Sequence, residues 1–331
     1  MVKDNIYFHN VCELEEVGSG VKLHRFPIEV EKNINLWARE RSRWSCGCEL
    51  RFVTDGDMVE ITLTSNGYAG DVQIFYGDYP LEYHNFNADE RKTIILSRPK
   101  GLKDVTDNWY ENNRFNKNVW RVYLHGRFIY NSIDSFGYDI RPPHKEEVPE
   151  KTLLTWGSSI THGAGAMYHQ NAYVNQLARR LGCDVLIKGT GGSCHCEKEI
   201  VDWICDDLNW DTALIEPATN MYEGFEPDEF ERRTEYMFLR LSEIQKPTFV
   251  TTVYPNSTFF KPTRPEYEKI KIFDEIVREK CKKYSKGKMI LVEGREILTD
   301  TEYLTADGIH PNDYGHFMMG NNWYEKIKKY M

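Results

Sequence analysis

The feature that most constrains this chain is a change of rhythm at residues 141–151. The segment Arg141-Pro142-Pro143-His144-Lys145-Glu146-Glu147-Val148-Pro149-Glu150-Lys151 is rich in proline and charge, the composition of a domain linker. Before it, apolar residues recur at every second position, as in Cys48-Glu49-Leu50-Arg51-Phe52 and Val59-Glu60-Ile61-Thr62-Leu63. Val72-Gln73-Ile74 and Trp120-Arg121-Val122-Tyr123-Leu124 repeat the pattern. This is the period of a strand with one buried face. Asp55-Gly56 and His125-Gly126, lying between such runs, read as hairpin turns. Many short alternating strands and no convincing helix predict an all-β sandwich of jelly-roll type over residues 1–145.

Beyond the linker, short apolar runs at 153–156, 185–187, 213–215, 249–253 and 289–292 alternate with stretches of helical spacing. Ala172, Tyr173, Leu177 and Leu181 fall on one helix face, with Gly182 as a C-terminal stop. Phe230, Met237, Leu241 and Ile244 make a second face. Ile270, Phe273, Val277 and Cys281 make a third, with Pro265 in its first turn and Gly287 past its end. A last helix is expected to carry Phe317, Trp323 and Ile327 on its apolar face. Strands alternating with helices predict an α/β domain over residues 150–331, a parallel sheet covered by helices on both faces. Sites in such sheets lie beyond the carboxyl ends of the strands. The residues that close each run therefore carry the functional argument.

The first run leads into Trp156-Gly157-Ser158-Ser159-Ile160-Thr161-His162-Gly163. Such a loop either cradles a phosphate or presents a nucleophilic serine. The phosphate motifs G-x-x-x-x-G-K-[ST] and G-x-G-x-x-G are missing, as is the G-x-S-x-G elbow. Serines here also cap helices, so the loop alone leaves the question open. Near the far end, Asp307-Gly308-Ile309-His310 precedes the last helix. A serine hydroxyl becomes a useful nucleophile when a neutral imidazole takes its proton and a carboxylate fixes the tautomer of that imidazole. The second run ends at Gly189-Thr190-Gly191-Gly192-Ser193 and the third at Glu216-Pro217-Ala218-Thr219-Asn220. Glycine N–H groups and an Asn amide suit the oxyanion of a tetrahedral intermediate, where one donor contributes about 3–4 kcal/mol. Met221 and Tyr222 follow Asn220 directly and are candidates for the wall of an acyl pocket.

Together these blocks resemble those of the SGNH (GDSL-like) hydrolases. Gly157-Ser158-Ser159-Ile160-Thr161-x-Gly163 resembles the first block, whose third residue is the nucleophile. Gly192 matches the second, Asn220 the third and Asp307-x-x-His310 the last, in family order over residues 150–331. Ser158 departs from the usual Asp of Gly-Asp-Ser, and Ala218 from the usual Gly of block three. The resemblance implies a flavodoxin-like sheet, Ser159 as nucleophile, His310 as base and Asp307 as its orienter. It also implies an oxyanion hole from the N–H groups of Ser159 and Gly192 and the Asn220 amide. The preceding sandwich resembles the jelly-roll domain of two-domain carbohydrate acetylesterases of this family. Removal of O-acetyl groups from an oligosaccharide is thus the expected activity, with no metal or organic cofactor required. The alternatives are a lipase, thioesterase or lysophospholipase on longer acyl chains, or a carbohydrate-binding protein with a degenerate enzyme-like half.

Composition excludes several classes. The net charge of −9 over 331 residues disfavours nucleic acid as a partner. No stretch nears the ~20 apolar residues of a membrane span, and the opening residues hold no apolar signal core, so a cytoplasmic protein is expected. A homo-oligomer is compatible with the sequence. The pairs Cys46/Cys48 and Cys194/Cys196 lack the spacer of a zinc knuckle, so buried thiols are expected among the 8 cysteines. His162 and His195 are expected to face solvent or nearby backbone, and His316 shows no evident partner in the sequence.

Overall fold

The structure is a computed structural model that describes residues 1–286 and 288–331; the expected helix stop Gly287 lies outside the described residues. By internal contacts the chain divides into two compact units, Met1–Ile28 with Ser42–Glu150, and Glu29–Arg41 with Lys151–Met331.

The first unit contains the strands Val2–Lys3 (β1), Ile6–His9 (β2), Glu13–Val17 (β3), Gly20–His24 (β4), Cys48–Thr54 (β5) and Met58–Ser65 (β6). Gly70–Tyr76 (β7), Tyr79–Phe86 (β8), Arg91–Ser97 (β9), Trp120–His125 (β10), Phe128–Asp134 (β11) and Ile140–Arg141 (β12) follow. They form two antiparallel sheets, one ordered β1-β2-β5-β10-β7-β8 with β12 beside β5, the other β3-β4-β11-β6-β9. The alternation seen in sequence does its expected work: Val59, Ile61 and Leu63 of β6 are fully buried in one core with Leu50, Val72, Ile74 and Val122. Truncating such a side chain to alanine costs about 2–5 kcal/mol.

Two turns differ from expectation. Asp55-Gly56 joins β5 to β6, and His125-Gly126 joins β10 to β11, yet in each case the two strands lie in different sheets. These connections cross the sandwich rather than close hairpins. Period-two patterning reports a buried face but not which sheet a strand joins, and that is why the turn residues misled. The chain's early part also holds two short helices, Ile28–Asn33 (α1) and Leu36–Ser42 (α2), which the sequence reading missed. Ile34 and Ala38 are buried there while Leu36 and Trp37 are exposed, so no helical stripe stands out.

The second unit's parallel sheet comprises Thr152–Trp156 (β13), Asp184–Ile187 (β14), Thr212–Ile215 (β15), Thr248–Thr251 (β16) and Met289–Val292 (β17). Its order β14-β13-β15-β16-β17 is the flavodoxin-like 2-1-3-4-5. The helices that accompany it are Ser159–His162 (α3), Tyr173–Leu181 (α4), Lys198–Asp206 (α5), Pro227–Ile244 (α6), Pro265–Tyr284 (α7), Gly294–Ile297 (α8) and Asp313–Ile327 (α9). Helix α4 ends as its sequence predicts, with Gly182 in the left-handed region at φ 67°. Pro265 occupies the first turn of α7, which buries Ile270, Phe273, Val277 and Cys281. In α9, Trp323 and Ile327 are buried but Phe317 is 45% exposed, with the Arg180 guanidinium over its ring. The inward position next to it belongs to His316, fully buried. Among the described residues, no helix is long and apolar enough to cross a membrane.

Candidate active site

β13 and β15 are neighbours, and the strand order reverses beside them. At such a switch point the loops after the two strands part and leave a crevice. The loop after β13 turns at once into the short helix α3. Ser158 is its N-cap, its Oγ accepting from the Ile160 N–H at 3.1 Å. Ser159 is the first helical residue, where a backbone N–H has no intrahelical acceptor.

The Oγ of Ser159 lies 2.8 Å from Nε2 of His310. On the other side of that ring, Nδ1 is 2.7 Å from Oδ2 of Asp307. Oδ1 of Asp307 accepts from the N–H groups of Ile309 (2.8 Å) and His310 (3.0 Å), so the carboxylate is fixed by its own loop. Burial would raise the Asp307 pKa, but the His310 ring and these two N–H donors hold it well below the usual carboxylate range. The loop is braced from both ends. Leu304 and Pro311 form an antiparallel bridge, and Asn312 caps α9 while its amide donates to the carbonyls of Glu302 and Leu304. Gly308 sits at φ 73°, and a Cβ there would meet Ser257, so glycine is required on two counts.

The second strand's loop approaches from the side. A Cβ on Gly191 would lie 3.2 Å from that of Ser159, so this backbone packs directly against the nucleophile candidate. Gly192 is exposed, at φ 72°. The Asn220 side-chain oxygen accepts from the Cys194 N–H at 3.2 Å, which leaves its NH₂ end as the donor. Met221 and Tyr222, expected at an acyl pocket, are 0% and 2% exposed; they pack inward and offer no surface to a substrate.

Sequence reasoning passed over Glu216 as a mere strand end. Its side chain is 1% exposed and receives Ser158 Oγ at 2.7 and 2.8 Å, the Ser158 N–H at 3.1 Å and Thr161 Oγ1 at 2.9 Å. Burial pushes its pKa up, partly offset by hydroxyl donors that include Ser158. The departure at Ser158 thereby gains a physical reason, since an Asp there would face a second buried carboxyl group. A buried acid closing an apolar strand was the available signal.

The remaining candidates have other tasks. His316 is stacked on Tyr173, accepts from the Tyr173 N–H at Nδ1 and donates from Nε2 to the Ala164 carbonyl. Burial lowers its pKa to about 4, so it stays neutral. His162 is largely buried beside Gly191, and its carbonyl accepts from His169. His195 lies against Phe225. Cys194 and Cys196 are buried thiols, and their mutual contact and burial raise the Cys194 pKa well above its ordinary value.

A family model described as the GDSL-like lipase/acylhydrolase family matches residues 150–328. The chain belongs to the GDSL-like lipase/acylhydrolase family. This GDSL-like protein is accordingly a carboxylic ester hydrolase. No curated protein matches its sequence. Among solved structures, it is similar to the salicylyl-acyltransferase SsfX3 of a tetracycline biosynthetic pathway (TM-score 0.81, 14% identity, covering 98% of this chain and 95% of that one). It also resembles a GDSL-like protein from Bacteroides ovatus (TM-score 0.73, 18% identity, 98% and 95% covered). A family 2 carbohydrate esterase with a carbohydrate-binding domain from Corynascus shares the fold at TM-score 0.61 and 16% identity, with 86% and 93% covered. At these identities the likeness is one of fold, and it extends through the antiparallel sheets as well as the parallel one.

Proposed function

We propose that this chain is a serine O-acetylesterase acting on carbohydrate esters. The reading is carried by one observation, the hydrogen-bonded row Ser159–His310–Asp307. In it, Ser159 Oγ attacks the ester carbonyl while His310 Nε2 takes its proton. Asp307 keeps the proton of His310 on Nδ1 and stabilises the imidazolium. The N–H groups of Ser159 and Gly192 and the Asn220 amide hold the oxyanion. His310 then protonates the leaving sugar hydroxyl, and water, activated the same way, releases acetate from the acyl-enzyme. A two-unit chain similar in fold to a carbohydrate esterase supports the choice of substrate.

The test is acetate release, followed by mass spectrometry, from a panel of acetylated oligosaccharides, beside a chain-length series of p-nitrophenyl esters. Preference for acetyl over longer acyl groups is expected. Preference for long chains would instead favour the lipase or thioesterase reading. An alcohol can replace water at the acyl-enzyme, a second reading favoured by the similarity to SsfX3 across 98% of this chain. Acyl transfer to an added alcohol outrunning acetate release would select it.

A further inference from the structure

The stretch Ser193–Lys198 has a second face. Beside it the second unit forms a half-open cavity of ≈ 720 Å³, lined by Asn35, His195, Glu197, Phe225, Arg233 and Tyr236 among others. That volume falls in the range of about 300–1,000 Å³ typical of ligand sites. None of the Ser159, His310 and Asp307 side chains lines it.

Asn35 ties α1 and α2 to this wall. Its oxygen accepts from the Ala38 N–H, and its amide donates to the Ser193 carbonyl and to Oε1 of Glu197. Glu197 is only 7% exposed, yet its other oxygen, Oε2, is buried with no hydrogen-bond partner among the described residues. A buried acceptor left without a partner is destabilising, a cost that a donor from a ligand removes. The positive groups nearby are already engaged. Arg233 binds Glu229 and the His195 carbonyl and lies over the Phe225 ring, and Lys198 pairs with Asp202.

These details select a ligand class. A cation would meet Lys198, Arg232 and Arg233 in the same cavity, and an anion would meet Glu197, Glu199 and Glu235. A neutral molecule rich in hydroxyls avoids both conflicts and supplies the missing donor. Phe225, with the His195 ring 4.8 Å from it, gives an apolar face on which a sugar ring can lie. Burial and the Arg233 charge outweigh Glu197 and lower the His195 pKa, leaving a neutral ring that can both donate and accept.

We propose that this cavity is a saccharide subsite, in which Glu197 accepts from a sugar hydroxyl, Asn35 holds Glu197 in place and Phe225 carries the apolar sugar face. As a substrate subsite it rests on the carbohydrate-ester reading above. One short stretch then serves both places, since Gly191 and Cys194 face Ser159 and Asn220 while His195 and Glu197 face the sugar.

The test is calorimetric titration of the non-hydrolysing Ser159→Ala protein with unacetylated cellohexaose, xylohexaose, mannohexaose and chitohexaose. At least one is expected to bind, and Glu197→Gln, added to Ser159→Ala, should weaken it at least tenfold without lowering the thermal midpoint. Should Glu197→Gln fail to fold, Phe225→Leu is expected to produce the same weakening. No binding by any of the four, or binding unchanged in the variant that folds, overturns the proposal. Turnover of p-nitrophenyl acetate by the unsubstituted chain judges the esterase reading separately, so either reading can fall alone.

Discussion

Both units bury glutamates, and two of them, Glu49 and Glu216, are treated in opposite ways. In the antiparallel sandwich, Glu49 is gripped by Arg51 Nε at 2.7 Å and by Arg121 at 2.8 Å and 2.5 Å. Burial alone would raise its pKa, but Arg121 and Arg51 hold it well below the ordinary value. In the parallel-sheet unit, Glu216 meets hydroxyls and a backbone N–H instead, and burial raises its pKa. The first arrangement pairs one buried carboxylate with two guanidinium groups and ties β5 to β10. The second leaves a polar framework under the helix that carries Ser159, where hydrogen bonds fix geometry and no countercharge competes with the chemistry. Buried acids thus separate a scaffold from a site better than burial itself does.

That contrast can be broken or sharpened experimentally. The largest effect is expected at the site's open side. His310→Ala should lower kcat for p-nitrophenyl acetate by about 10⁴-fold or more while leaving the thermal midpoint in place, because the ring is part of a loop and not of a core. A modest loss would mean another base serves Ser159. Next, Glu49→Ala should destabilise the protein by about 3–5 kcal/mol in urea titrations, as two arginines lose their buried partner. A loss below about 1 kcal/mol would mean that water reaches the cluster and screens it.

A third effect is pH-dependent. His316 is neutral and buried, with a pKa lowered to about 4, so the unfolded chain binds its proton first. Its contribution is therefore complete above pH ~6.5 and is lost as pH falls towards about 4, amounting to about 3 kcal/mol. Urea midpoints of the wild type and His316→Gln across that window should converge on acidification; parallel curves would contradict the assignment. The smallest effect is expected from Glu216→Gln. Keeping most of the hydrogen-bonding shape, it should change stability by no more than about 1 kcal/mol yet lower kcat roughly tenfold with KM little changed, as an amide NH₂ replaces one of the oxygens that receive Ser158 and Thr161. An unchanged kcat would make Glu216 as purely structural as Glu49.

Much of this was legible in the sequence because local patterns encode it. Each apolar run of the second half is a parallel strand, and the loop after the second run packs Gly191 against Ser159. Asp307 and His310 were readable because three residues of one loop fix their relation. What stayed hidden depends on partners distant in sequence. Sheet membership at Asp55-Gly56 and His125-Gly126 is decided across the sandwich. The inward turn of Met221 and Tyr222 depends on how the Asn220 loop packs, and the burial of His316 instead of Phe317 on Tyr173 in another helix. Glu216 looked like any strand end until Ser158, a residue 58 positions earlier, was seen against it.

The most direct measurement is the rate of p-nitrophenyl acetate hydrolysis by Ser159→Ala, with circular dichroism and the thermal midpoint recorded on the same sample. Loss of about 10⁴-fold or more in a protein that stays folded is the expected result. Turnover close to that of the unaltered chain would contradict the assignment of Ser159 as the nucleophile.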